Sequence, residues 1–164
     1  MLLSHPEGFA ELRVQHCQRF FGPLSDPVIH STDVQPVHID IHQFAPSAER
    51  AHWTLVTDGM SDERQPTKAD DTQAIPVRTE MLMYVQQPRD WMFSVLKALA
   101  EMPFTDNTVL HWGHTIQNGM PMTQTPSLLT AFLLLPSFCE EEAFGELQLA
   151  GDVVDFLWLV PITE

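Results

Sequence analysis

Within residues 36–44 apolar and polar residues alternate: Val37, Ile39 and Ile41 take one parity, His38, Asp40 and His42 the other. Successive side chains leave a β-strand on opposite faces, so a period of two demands a strand with one apolar face. The pattern returns over residues 77–85, where Val77, Thr79, Met81, Met83 and Val85 alternate with Arg78, Glu80, Leu82 and Tyr84. Residues 52–57, with Trp53, Leu55 and Val56, read as another strand, closed by the turn pair Asp58-Gly59. Apolar runs at 108–116, 128–135 and 153–160 are bounded by Pro, Gly or acidic residues and suit buried strands.

Helical spacing is confined to two stretches. Over residues 7–21, Phe9, Leu12, Val14, Cys17 and Phe20 recur mostly at three and four, with Glu11, Arg13, Gln15 and Arg19 between them, and Gly22-Pro23 ends the pattern. Over residues 91–102, Trp91, Val95, Leu99 and Met102 mark a second helix, with Asp90 at the N-cap and Pro103 as its stop. Residues 61–74 are almost devoid of apolar side chains and predict a long surface loop. Two helices with about six strands that do not alternate strictly with them make an α+β fold, and 164 residues suit one domain over 1–164.

Charge narrows the function. Eight Lys and Arg against twenty-two Asp and Glu give 8 − 22 = −14, which disfavours nucleic acid and anionic membrane surfaces as partners, because both recruit basic side chains. The imbalance is also segregated along the chain. Residues 1–97 carry 13 acids and 8 bases (−5), and residues 98–164 carry 9 acids and no base (−9). An acid-only segment steers association toward a basic partner. The start, Met1 to Glu7, lacks the basic and apolar regions of a secretory leader, and no apolar run is long enough to span a bilayer. With only Cys17 and Cys139, read as buried free thiols, the expected compartment is the cytoplasm.

No Gly-x-Ser-x-Gly, phosphate loop, His-Glu-x-x-His or Cys-x-x-Cys is present, so hydrolase and nucleotide chemistry lose support. Ser61 beside Asp62 permits a triad only on paper. The one chemical alternative is a metal-dependent enzyme: on a strand His38, Asp40 and His42 share a face, and His111 or His114 completes a set of imidazoles and a carboxylate suited to Zn, Fe or Ni.

The run His52-Trp53-Thr54-Leu55-Val56-Thr57-Asp58-Gly59-Met60-Ser61-Asp62 is preceded by His38-Ile39-Asp40-Ile41-His42. Glu80-Met81-Leu82-Met83-Tyr84, Trp112-Gly113-His114-Thr115-Ile116 with Asn118-Gly119, Phe132-Leu133-Leu134-Leu135-Pro136 and Phe156-Leu157-Trp158-Leu159-Val160-Pro161-Ile162-Thr163 follow it. In that order, over residues 37–163, these blocks resemble the suppressor of fused domain family, its bacterial single-domain members in particular. The resemblance implies a mixed sheet flanked by helices and protein binding without enzymatic activity or a cofactor. Animal members hold a peptide of a Hedgehog-pathway transcription factor with the help of a second, C-terminal domain, whereas bacterial members point to immunity proteins that occlude a toxin domain. Many nuclease toxins are basic, so acidity and resemblance converge on a basic toxin domain as partner. The expected partner surface comprises Glu140, Glu141, Glu142, Glu146, Asp152 and Asp155, joined by Asp58, Ser61 and Asp62 of the motif turn and by His114. Capture of an extended peptide at a sheet edge is the third reading.

Overall fold

The computed structural model, which describes residues 8–32, 37–66, 75–118 and 127–163, turns the alternating runs into neighbouring strands of one sheet. Residues 67–74 of the expected loop, Pro36, Gly119 and residues 1–7 lie outside the described residues. In chain order the elements are α1 (Phe9–Phe21), β1 (Leu24–Ile29), β2 (Asp40–Phe44), β3 (Trp53–Asp58), β4 (Arg78–Val85), α2 (Asp90–Thr105), β5 (Thr115–Gln117), β6 (Ala131–Pro136), β7 (Gln148–Leu149) and β8 (Asp152–Ile162). The sheet runs β1-β2-β3-β4-β8-β6-β5, with β7 paired to the start of β8. Only β4 and β8 are parallel; the other pairs are antiparallel, so the α+β mixed sheet is as expected.

The described sheet has eight strands where the sequence predicts about six. The additional ones, β1 and β7, carry no alternation: β1 contains Asp26-Pro27 and β7 is two residues long. The strand expected over 108–116 shrinks to Thr115–Gln117, because the chain turns at His111 to His114 with Gly113 at φ 84°.

Each face of the sheet is covered by one helix. Ile39, Ile41, Leu55, Met81 and Met83 pack with Leu96, Leu99 and Ala100 of α2. On the opposite face Phe44, Val56, Leu82 and Phe156 pack with Cys17 and Phe21 of α1 and with Phe144. The parity that carries His42, Asp58 and Glu80 therefore faces α1 rather than solvent, while Asp40 at the start of β2 is half-buried beside the exposed His30 and His38.

Helix α1 is rotated from its expected register. Its buried residues are Arg13, Cys17 and Phe21, a strict i, i+4, i+8 stripe, while Leu12 is 48% exposed. The arginine lies inside because the polar sheet face and the turn beneath it supply counter-charges in Asp58, Asp62 and Glu80. Helix α2 runs past its expected stop: Pro103 lies in the last turn, where a missing N–H costs one bond, and the Asp106 N–H still donates to the Met102 carbonyl. Arg89 takes the N-cap position and Asp90 the first turn, where its charge opposes the helix dipole.

Candidate functional site

The segment after β3 closes around one carboxylate. Thr57 Oγ1 donates to Glu80 Oε2 at 2.5 Å, while Glu80 Oε1 accepts from the Gly59 N–H (3.1 Å), the Ser61 N–H (2.9 Å) and Ser61 Oγ (2.7 Å). Gly59 is required twice over: its φ is +126°, and a Cβ there would stand 1.9 Å from the His38 carbonyl oxygen. Arg13 reaches down from α1, its Nε bonding Asp58 and lying 3.5 Å from Glu80, its Nη1 bonding Asp62 (2.6 Å) and Ser61 Oγ (3.2 Å). Burial pushes the Glu80 pKa up against the pull of Arg13. Burial alone would lower the Arg13 pKa, but Glu80, Asp58 and Asp62 raise it and keep the guanidinium charged. The network is a lock between α1 and the sheet. The Ser61 hydroxyl is buried within it, donating to Glu80 and accepting from Arg13.

Two further ion clusters join arginines of the first part of the chain to acids of the second. Arg64 grips Asp152 bidentately at 2.8 and 2.9 Å, and Arg78 adds a bond to Asp152 (2.9 Å) and others to the Ser61 and Asp62 carbonyls. Arg50 holds Glu140 with both oxygens, at 2.8 and 2.6 Å, and Tyr84 Oη donates to the same carboxylate. Burial would raise the Glu140 pKa, but the bonds from Arg50 and Tyr84 bring it below the ordinary carboxylate value.

Beside Glu140 the chain leaves β6 at Pro136 and passes through Ser137 and Phe138 to a 3₁₀ helix at Glu142–Glu146. Together with Trp112 and residues 154–157 of β8 it lines a groove of about 410 Å³. Two large aromatic side chains stand open at it, Trp112 (39% exposed) and Phe138 (65%). Both are braced from behind. The Gly113 N–H donates to the Leu134 carbonyl (2.7 Å) and the Leu134 N–H to the His114 carbonyl (2.9 Å), which fastens the Trp112 turn to β6. Phe138 packs edge-on against Trp158, itself edge-on to Tyr84. Glu141, Glu142 and Asp155 are in the lining, Glu146 projects nearby on the 3₁₀ helix, and none of the lining residues is basic. Burial pushes the Asp155 pKa up, partly countered by His111. The groove offers apolar contact ringed by negative charge.

The family model for suppressor of fused protein (SUFU) matches residues 35–164. The chain belongs to the suppressor of fused family. Its fold is shared with a SUFU homolog from Neisseria gonorrhoeae FA 1090 at TM-score 0.70 and 19% identity, covering 95% of this chain and 78% of that one. A Sufu–Fu complex crystal structure gives TM-score 0.64 at 15% identity, over 95% and 76% of the two chains. Drosophila Suppressor of Fused gives 0.52 at 18%, over 81% of this chain and 35% of the longer fly protein. No curated protein matches the chain in sequence.

Within this SUFU domain the expected surface residues separate into two groups. Asp58 and Ser61 are buried, and Asp62 is half-buried against Arg13, so these three residues of the motif turn are engaged in the lock with α1. Glu140 and Asp152 are held by Arg50 and by Arg64 with Arg78. Glu141, Glu142, Glu146, Asp155 and His114 remain at the surface or half-exposed. The expected metal set is dispersed: His42 Nε2 turns to Asp58 (3.3 Å), and His111 and His114 lie before β5, at the other end of the strand order from β2. His38 and Asp40 do meet, with His30 as third member. Cys17 is buried as expected, but Cys139 is exposed beside a second cleft of about 720 Å³. Arg13, Arg50, Tyr84 and Glu80 were not expected at the site. The confinement of every base to the residues before 98 is the one sequence signal that arginines of the first portion pair acids of the second across the fold. No helix among the described residues is long and apolar enough to cross a membrane.

Proposed function

We propose that this SUFU-family protein is a non-enzymatic, cytoplasmic immunity protein that binds and occludes a basic toxin domain at the Trp112–Phe138 groove. The observation that carries the proposal is the pair of exposed, braced aromatics set in a lining that contains carboxylates and no base. Aromatic side chains anchor protein interfaces at their centre, while a complementary field around them raises the encounter rate and selects the sign of the partner. A toxin that acts on nucleic acid has the matching positive surface. The Sufu–Fu complex supports the reading in kind, since a relative of the same fold engages a protein.

The test is recovery of the partner from the host with tagged protein, followed by binding kinetics of the purified pair. Expected is a stoichiometric basic domain whose activity is inhibited, with affinity reduced at least about 30-fold in Trp112→Ala or Phe138→Ala, chiefly through koff. Full affinity in both variants, with their folds intact, would overturn the assignment of the groove. A second reading has its own support: Asp155 and Phe156 lie between the stretches of β8 paired by β7 and by β6, and on that side no strand pairs with them among the described residues. An extended segment could add there. Binding of a linear peptide in place of a folded domain would favour it.

A further inference from the structure

The edge of the sheet opposite the groove holds a cluster that the partner-binding reading does not use. His30 follows β1 directly, His38 precedes β2, and Asp40 opens β2, so the β1–β2 pairing brings together side chains that are eight and two residues apart. Asp40 lies between the two imidazoles. Its Oδ2 is 3.1 Å from His30 Nδ1 and its Oδ1 is 2.9 Å from His38 Nε2, and one ligand atom from each of the three residues falls within 4.8 Å of the others. With metal–ligand bonds near 2.0–2.1 Å, adjacent donors around a tetrahedral cation stand about 3.3 Å apart, so small side-chain rotations suffice to surround one ion. The backbone already orients the carboxylate, because the Ser31 N–H donates to Asp40 Oδ1 at 3.2 Å. The Ser31 hydroxyl oxygen, buried and without a hydrogen-bond partner among the described residues, adds a further lone pair at the same residue. The imidazoles themselves are 67% and 52% exposed, which leaves an approach for an ion and room for water at the remaining position.

We propose that His30, His38 and Asp40 form a site for one transition-metal dication of the zinc class, which clips the end of β1 to the start of β2. Two neutral imidazoles and one carboxylate match the preference of borderline cations such as Zn²⁺ over Mg²⁺ or Ca²⁺, which favour all-oxygen sets. The set differs from the one the sequence suggests: His30 replaces His42, and His111 and His114 take no part.

Tag-free protein is stripped with chelator and titrated calorimetrically with Zn²⁺ alone. Expected is one Zn²⁺ per chain, not displaced by millimolar-range Mg²⁺, with binding weakened at least about ten-fold in His30→Ala and in His38→Ala. A His111→Ala/His114→Ala double variant retains the wild-type affinity. Because both site histidines are largely exposed, their variants keep the fold, which circular dichroism verifies. A second readout is thermal: saturating Zn²⁺ raises Tm by about 5 °C in the wild type and leaves Tm unchanged in His30→Ala. No binding heat, binding undiminished in the His30 and His38 variants, loss in the His111/His114 variant, or displacement by Mg²⁺ would each overturn the proposal.

Discussion

Replacing Arg13 by alanine leaves Asp58 and Glu80 buried without their counter-charge, and such an uncompensated site costs about 3–5 kcal/mol. Urea denaturation of Arg13→Ala is expected to show a loss of that size, and a loss below about 1 kcal/mol would mean that Arg13 acts as an ordinary surface ion. The histidines supply a pH signature. Burial lowers the His16 pKa against the bond its Nε2–H donates to the Phe144 carbonyl, and burial likewise lowers that of His42. A lowered folded pKa means that the unfolded chain takes up the proton first, so this stability is complete above about pH 6.5 and is lost as the pH falls below it. Glu80 has the opposite sign: its raised pKa contributes below its unfolded value and is lost as the pH rises through its folded one. The comparison of wild type with His16→Gln isolates the histidine. Between pH 7.5 and 5.5 the variant's urea midpoint is expected to fall less steeply, and identical slopes would show that His16 is not held neutral.

Among the elements, the turn from β3 into the 3₁₀ helix is the least tolerant. Gly59→Ala forces a non-glycine residue to positive φ and drives its Cβ into the His38 carbonyl, so a loss of at least about 2 kcal/mol is expected, visible as a fall in Tm. The turn is built into the lock as well, since the Gly59 N–H is one of the donors to Glu80. Helix α1 makes a contrasting prediction. Leu12 belongs to the apolar face by spacing but is half-exposed, so Leu12→Ser is expected to change stability by no more than about 0.5 kcal/mol. A large loss would restore the register that spacing alone suggests. The difference arises because α1 docks on a sheet face carrying carboxylates, which select its arginine over its leucine.

At the scale of the molecule, the separation of charge along the chain is partly cancelled in space. Arg50, Arg64 and Arg78 neutralise Glu140 and Asp152, so of the six acids expected at the partner surface in the second portion, Glu141, Glu142, Glu146 and Asp155 are the ones no arginine holds among the described residues. Neutralising Glu140 would test the fold together with binding. The triple variant Glu141→Gln/Glu142→Gln/Glu146→Gln removes only exposed charge and is expected to lower kon toward a basic partner about ten-fold at low salt. It also flattens the salt dependence and leaves Tm unaltered. An unchanged kon would remove steering from the account of this surface.

The period of two over residues 36–44 and 77–85 determined two strands of the sheet, and turn chemistry at Asp58-Gly59 placed the end of the third. These depend on neighbours in the chain, and local stereochemistry enforces them. The segregated charge and the ordered motif blocks were legible for the same reason. Alternation states that two faces of a strand differ, but not what covers them. Only the docking of α1 buried Asp58, Ser61 and Glu80 beneath Arg13, only the β1–β2 pairing brought His30 to Asp40 in place of His42, and only the approach of Arg50 to Glu140 separated structural acids from available ones. Each of these is a contact between charges distant in sequence, whose energy depends on separation and burial in three dimensions and leaves no periodic trace along the chain.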